Sequence, residues 1–256
     1  MNSIHRWIKK DVVHLVVDPT KYWVIGDVHG CHETFREICQ QIRDEYPDAV
    51  IIQVGDLIDR GPGLVEVCDV VDEFNVKLIM GNHELNFLLE VMGYKECRSK
   101  SRQINVDLFK RYGESTQQRI LTMFQKAQPY MYFSYKGSKH ENRLTTSVIV
   151  SHALPDLDLI NRGLFGNGWS HSTSNKPRWE VQQQMVDLHY DHAIFGHYSF
   201  EYDDFPIEQQ LATEGNRLFN IDSRCVYGGK LTAMRLDLKK MIQIDQPIDY
   251  VALYGL

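Results

Sequence analysis

Three short segments of the chain carry side chains that are suited to metal-assisted chemistry. They span residues 26–30, 55–61 and 81–84, and each follows an apolar run and contains glycine. Their carboxylate, imidazole and amide groups are the ligands that hard-to-borderline divalent ions prefer. Two such ions held side by side activate water and stabilise a phosphoryl group during transfer. The segments therefore predict a two-metal site that hydrolyses phosphate esters.

Four of the candidate ligands lie in these three segments. Asp27 and His29 are two residues apart in an extended turn, so both side chains can point the same way from one strand end. Asp56 ends the next strand, and its two carboxylate oxygens can bridge two ions. Asn82 adds a neutral carbonyl oxygen after a third strand.

Two later histidines follow strands in the same way, because His152 and His197 each come after an apolar run and a small residue. Sites in open α/β sheets form beyond the carboxyl ends of strands. Six side chains converging there would hold two ions about 3.5–4 Å apart. Without a cation, Asp27 and Asp56 buried together would cost several kcal/mol per charge. The set therefore favours a metal site over packing alone.

The elements that must position these ligands alternate in the first half of the chain. Near-continuous apolar runs predict strands at 22–25, 49–54 and 76–80, while helical spacing of apolar residues predicts helices at 33–45 and 64–74. Strand, crossover helix and strand in repetition indicate a parallel sheet with helices on its outside.

The second half has strand patterns at 147–150 and 193–195, each ending at a candidate histidine. Further short strands at 218–221, 231–236 and 241–244 are separated by tight loops, which is typical of an antiparallel or mixed sheet. The expected architecture is α/β, with two mixed β-sheets packed face to face as a sandwich and helices outside.

No convincing linker divides the chain, so residues 1–256 are expected to form a single domain. A helical insertion is predicted at 84–128. It is either a substrate-shaping cap or a connector, and the connector is favoured.

Composition limits the choice of function. The chain is 43% hydrophobic and 24% charged with a formal net charge of −6. This is ordinary for a globular protein and argues against duplex-DNA binding. Its five cysteines form no C-x-x-C pair, and no signal sequence or long apolar run is visible. We therefore expect a cytoplasmic protein with no disulfide scaffold and no membrane span.

Together, the motifs resemble the phosphoprotein-phosphatase branch of the calcineurin-like metallophosphoesterases, of the bacterial or phage type. The resemblance spans residue 22 to about 237, and its motifs are GDVHG, GDLIDRG, GNHE, SHA and GH, at 26–30, 55–61, 81–84, 151–153 and 196–197. It implies that one ion is held by Asp27, His29 and Asp56, and the other by Asp56, Asn82, His152 and His197.

The catalytic roles follow from the chemistry of the reaction. Hydroxide activated by the two ions would attack phosphorus in line, and Arg60 could grip two phosphoryl oxygens with its planar guanidinium. His83 is placed to protonate the leaving alkoxide, and Asp59 could hold that imidazole and favour its charged form. The resemblance implies the same roles for Arg60, His83 and Asp59.

Further substrate contacts are less specific. Related enzymes commonly use a second arginine between the two later histidines, for which Arg178 is favoured over Arg162, with His171 as another alternative. Residues 220–233 resemble the closing hairpin of bacterial and phage members, where Tyr227 or Arg224 could touch substrate. The plainer interpretation is a core hairpin beside the site.

Three substrate classes compete: phosphoserine or phosphothreonine in proteins, diadenosine tetraphosphate and its relatives, and nucleic-acid ends bearing phosphate, as in polynucleotide end-healing enzymes. The symmetrical tetraphosphatases, which the chain also resembles, often lack the acid-supporting aspartate and end the third motif in Asp. Asp59 and Glu84 therefore favour the protein-phosphatase-like or end-healing type, of which a serine/threonine protein phosphatase-like enzyme acting on phosphoproteins or small phosphoesters is the first choice. An inactive scaffold is the non-enzymatic alternative. Of the ions, Mn²⁺ is favoured, while Fe²⁺, Zn²⁺ and Ni²⁺ also suit the ligands.

Overall fold

The computed structural model describes residues 13–136, 145–153, 191–199 and 218–256. Within these ranges, ten strands form two mixed sheets of five strands each, which confirms the predicted α/β fold class. No helix in the described ranges is both long and apolar enough to cross a membrane.

The first sheet carries the three motif segments. Its strands are β2 (Tyr22–Ile25), β3 (Val50–Gln53), β4 (Lys77–Leu78), β9 (Lys230–Arg235) and β10 (Met241–Asp245). Their order is β10–β9–β2–β3–β4, with β2, β3 and β4 parallel and the β9–β10 hairpin antiparallel. The predicted parallel sheet in the first half of the chain is therefore correct.

The second sheet carries the two later histidines. Its strands are β1 (Val13–Val16), β5 (Tyr130–Lys136), β6 (Thr145–Ser151), β7 (His192–Phe195) and β8 (Leu218–Asn220), in the order β1–β5–β6–β7–β8. Strands β6, β7 and β8 are parallel to one another. The prediction that the strand at 218 shares a tightly looped sheet with β9 and β10 was wrong, because β8 pairs with β7 in the other sheet. Strands β1 and β5 were not predicted.

Six α-helices lie within the described ranges. They are α1 (His32–Glu45), α2 (Val65–Phe74), α3 (Asn82–Val91), α4 (Lys100–Arg111), α5 (Glu114–Lys126) and α6 (Tyr250–Tyr254). Helices α3, α4 and α5 form the predicted helical segment after the third motif.

The side chains of β2 and β3 alternate between two cores, as the period of a strand requires. Trp23 and Ile51 pack in the cluster shared with the helices, while Val24 and Ile52 pack with Phe133 and other residues of the second sheet. Both sheet faces of β2 and β3 are thus covered, which explains their near-continuous apolar sequence.

An aromatic cluster fixes α3, α4 and α5 to the helix-side core. The ring of Phe87 on α3 meets Phe109 on α4 at 5.4 Å and Phe124 on α5 at 5.9 Å, edge to face in both cases. This packing sets the position of α3, whose first turn carries Asn82 and His83.

Candidate functional site

The carboxyl ends of β2, β3, β6 and β7 meet at one edge of the sandwich. The backbone N–H of His197 donates to the Asp27 carboxylate, at 3.1 Å to Oδ2, and Gly196 N–H donates to the His152 carbonyl at 2.8 Å. Backbone N–H of His29 donates to the Asp56 carbonyl at 2.9 Å. These bonds hold the loops after four strands together, across both sheets.

Asp56 lies at the centre of the candidate ligands. Its Oδ2 is 3.7 Å from His29 Nε2, and its Oδ1 is 3.3 Å from His152 Nε2. His152 Nε2 is also 2.9 Å from Asn82 Oδ1 and 3.0 Å from His197 Nδ1. Asp56 thus offers one oxygen to each of two groups of donors, as a bridging ligand would.

Two compact donor groups share Asp56. The atoms of His29, Asp56 and His83 lie within 4.8 Å of one another, and so do those of Asp56, His152 and His197. The second group contains three of the four ligands predicted for one ion. The first contains His83, whereas the family resemblance assigns Asp27 to that ion.

His29 is held in the tautomer that a metal ligand needs. Its Nδ1–H donates to the Ile58 carbonyl at 3.0 Å, which leaves the lone pair on Nε2 facing the site. Burial, followed by the charges of Arg60 and His83, holds the pKa of His29 well below its ordinary value. The imidazole is therefore neutral at neutral pH.

Buried carboxylates give the site an unbalanced negative charge. Burial, then the nearby charges of Asp222 and Asp56, raise the pKa of Asp27 well above its ordinary value. Burial raises the pKa of Asp222 to about 6. Burial also opposes ionisation of Asp56, but His152 and His83 outweigh it and hold its pKa well below the usual range. This oxygen and imidazole donor set fits divalent cations, whose charge would favour the ionised carboxylates.

The three predicted catalytic side chains are also in contact. His83 Nδ1 donates to Asp59 Oδ2 at 2.6 Å. Arg60 donates from Nη1 to His29 Nε2 at 2.7 Å and from Nη2 to His83 Nε2 at 3.3 Å. The guanidinium of Arg60 therefore points into the space between the two histidines.

Tyr227 lies at the edge of this group. Its ring centroid is 5.6 Å from the Arg60 guanidinium and 5.2 Å from that of Arg224. The candidates for a second phosphate-binding group, Arg162, His171 and Arg178, fall outside the described residues.

Backbone strain is concentrated at the site. Of the eight non-glycine residues with positive φ in the described ranges, five are predicted site residues, namely His29, Asp56, Asp59, Arg60 and His197. Each such conformation costs of order 1–3 kcal/mol and persists only where the surroundings enforce it.

Glu84 helps to hold the strained backbone of the second motif segment. The sequence analysis gave this residue no role in holding the site. Its carboxylate accepts backbone N–H groups from Asp56, Leu57 and Ile58 at 2.8–3.2 Å, and from Gly81 at 3.0 Å. Burial, then Asp56, raises its pKa to about 7. Glu84 thus fixes the second motif segment onto the start of α3.

Three further residues beside the site were also missed. Asp222 is buried after β8, while Arg102 and Asn105 reach Asp59 from α4. The sequence pattern could have revealed Arg102 and Asn105. They lie on the same side of α4 as the apolar residues Val106 and Phe109, so two polar residues interrupt an apolar helix face.

Comparisons with known proteins agree with this geometry. A family model for calcineurin-like phosphoesterases matches residues 20–199. An asymmetrical bis(5′-nucleosyl)-tetraphosphatase of Anoxybacillus flavithermus is 25% identical over 255 residues, which cover 90% of this chain and 96% of that protein. A symmetrical bis(5′-nucleosyl)-tetraphosphatase of Salmonella arizonae is 34% identical over 82 residues, 31% of this chain and 29% of that protein.

A solved structure supports the fold. The cold-active protein-tyrosine phosphatase of a Shewanella species aligns with a TM-score of 0.60 at 16% identity, covering 93% of this chain and 84% of that one. At this identity the likeness concerns the fold and not the substrate.

Proposed function

The chain belongs to the calcineurin-like phosphoesterase family, and we propose that it hydrolyses phosphate monoesters whose leaving group is an alkoxide, as a serine/threonine protein phosphatase does. The observation that carries this proposal is the 2.6 Å hydrogen bond between His83 and Asp59, both buried. An alkoxide needs a proton in order to leave, whereas a nucleotide phosphate leaves as a stable anion. A supported imidazole at the site therefore favours monoesters.

The proposed metal ligands are Asp27, His29 and Asp56 for one ion, and Asp56, Asn82, His152 and His197 for the other. When bound, two divalent ions supply Lewis acidity and an activated water. Mn²⁺ remains the proposed ion, while Fe²⁺, Zn²⁺ and Ni²⁺ suit the same donors.

The protein's own residues would divide the remaining work. Arg60 would orient the phosphoryl group through two of its oxygens. As the bond between phosphorus and the leaving oxygen breaks, its electron pair stays on that oxygen, which takes the Nε2 proton of a doubly protonated His83 imidazole. Asp59, bonded to Nδ1, would keep Nε2 aimed at that oxygen. Tyr227, beside Arg60, is a candidate to line the substrate's path, while a contact from Arg178 stays a prediction.

A second candidate function is hydrolysis of dinucleoside tetraphosphates. It is favoured by the relative from Anoxybacillus flavithermus, which matches nearly the whole chain and is named an asymmetrical bis(5′-nucleosyl)-tetraphosphatase. At 25% identity this name does not fix the substrate of the present chain.

The two functions are separated by comparing kcat/KM for a phosphoserine peptide and for diadenosine tetraphosphate, with Mn²⁺ added. General acid catalysis contributes about 10²–10⁴-fold, so His83→Ala should reduce turnover of the peptide by that factor and affect the dinucleotide much less. If wild type has the higher kcat/KM for diadenosine tetraphosphate and His83→Ala keeps that activity, the monoesterase proposal is rejected. No turnover of either substrate by wild type would favour the inactive scaffold.

A further inference from the structure

Both carboxylate oxygens of Asp59 are occupied, and the residue is fully buried. Oδ2 accepts from His83 Nδ1 at 2.6 Å and from Arg102 Nε at 2.9 Å, while Oδ1 accepts from Asn105 Nδ2 at 2.8 Å. A carboxylate bonded on both oxygens cannot turn without breaking a hydrogen bond. The direction in which Asp59 meets the His83 imidazole is therefore set by α4.

Arg102 also provides the charge that Asp59 needs. Its side chain is only 9% exposed, and its Nη1 lies 3.3 Å from Glu90 Oε1, whose side chain is 2% exposed. Glu90 is on α3, seven residues after His83, so the two lie on the same face about two turns apart. Asp59, Arg102 and Glu90 thus form a chain of alternating charge that joins the second motif segment, α4 and α3.

The position of the guanidinium is specific. Arg102 Nη2 lies 3.4 Å from His83 Nδ1, so the same side chain flanks both partners of the acid pair. A lysine keeps one charge at this place but lacks the rigid fork that reaches Asp59 and Glu90 at once. Asn105 sits three residues further along the same face of α4 and completes the arrangement.

We propose that Arg102 and Asn105 are positioning residues that hold Asp59, and through it His83, in the orientation that delivers a proton to the leaving oxygen. The inference rests on the proposed function, since it requires His83 to be the acid. It makes the segment 84–128 part of the catalytic machinery rather than a connector.

The consequence is a dependence on the leaving group. p-Nitrophenolate is a stable anion and leaves without being protonated. The serine alkoxide must be protonated in order to leave. Loss of positioning should therefore reduce kcat for a phosphoserine peptide and leave its KM nearly unchanged. A defect that is merely structural would reduce turnover of both substrates alike.

The test uses Arg102→Lys and Asn105→Ala in the full-length chain with Mn²⁺, beside wild type and His83→Ala. Arg119→Lys is the matched control. It is an arginine on α5 that pairs with Asp69 and Asp72, each at 2.7 Å, away from the acid pair. Each variant is assayed with p-nitrophenyl phosphate and with the phosphoserine peptide.

We expect Arg102→Lys and Asn105→Ala each to lower kcat for the peptide about tenfold more than for p-nitrophenyl phosphate, a part of the full effect of a general acid. Arg119→Lys should not change this ratio. If the ratio of kcat for the peptide to kcat for p-nitrophenyl phosphate changes in His83→Ala but not in Arg102→Lys or Asn105→Ala, the positioning role is overturned and the proposed function stands. An unchanged ratio in His83→Ala itself would overturn both.

A second readout needs no turnover and is applied to variants whose circular dichroism spectrum matches that of wild type. A proton in a 2.6 Å N–H···O hydrogen bond resonates at unusually low field in the ¹H NMR spectrum. We expect such a signal for His83 Nδ1–H in wild type and in Arg119→Lys, and its shift or loss in Asn105→Ala. The same signal, unmoved in Asn105→Ala, would contradict the proposal.

Discussion

Asp222 provides a test of the unbalanced charge at the site. Burial raises its pKa from 3.8 to about 6. Because one pKa unit corresponds to about 1.4 kcal/mol, the ionised side chain costs the metal-free protein about 3 kcal/mol at high pH. Asp222→Asn keeps the shape of the side chain and removes the charge, so we expect it to stabilise the metal-free protein.

The sign of the pH dependence follows from linkage. Between pH 3.8 and about 6 the folded protein binds more protons at Asp222 than the unfolded chain does. The free energy of unfolding therefore falls as pH rises through this window, and the loss is complete above it. The advantage of Asp222→Asn should be about 3 kcal/mol at pH 8 and about half of that at pH 5.

Urea denaturation in the presence of EDTA measures this difference. Asp245→Asn is the control, since that carboxylate is exposed and bonds only to Lys230 among the contacts described here. Its substitution should stay within about 0.5 kcal/mol of wild type. Added Mn²⁺ should abolish the gain at Asp222, because a nearby cation favours the ionised form. Equal stability of Asp222→Asn and wild type at pH 8 in EDTA would refute the account of the site's charge.

Three further changes test the ligand loops, the insertion and the thiols. A Cβ at Gly196 would meet the Asp27 carboxylate, so Gly196→Ala should weaken Mn²⁺ binding about 10–100-fold by calorimetry, as loss of ligand support does. Phe87 is fully buried in the aromatic cluster, so Phe87→Ala should cost about 3–5 kcal/mol in urea denaturation, and a smaller cost would mean that the insertion packs loosely. Of the five free cysteines, Cys97 is the one that is not buried, so the folded protein should react with one equivalent of a thiol reagent, slowly at neutral pH because burial raises the pKa of the Cys97 thiol, and Cys97→Ser should remove that reaction.

The candidate ligands could be proposed from the sequence because their signals are local. A strand buried on both faces is apolar, so Asp27, Asp56 and Asn82 stand out where such strands end. Helices α1 and α2 were predicted to within about a residue for the same reason, since each buries one regular face.

Pairing between strands was less predictable. Strand β8 has three residues, and its sequence is compatible with either sheet. Its partner is decided by contacts with β7, more than 20 residues earlier in the chain. Edge strand β1 is likewise stabilised by parallel pairing with β5, which lies more than 100 residues later in the chain. Short strands take their register from distant partners, which local patterns do not record.

The support of Asp59 shows a second limit. A buried carboxylate must be compensated, so its presence in a motif already requires a nearby cation or several hydrogen-bond donors. That requirement is visible in the sequence, but the chain contains 28 lysines and arginines. Arg102 interrupts the apolar face of α4, yet its spacing does not reveal which carboxylate it meets. Only the packing of α4 against α3 brings its guanidinium within 2.9 Å of Asp59. The sequence therefore specifies that a buried charge needs a partner, while the tertiary fold decides which residue becomes that partner.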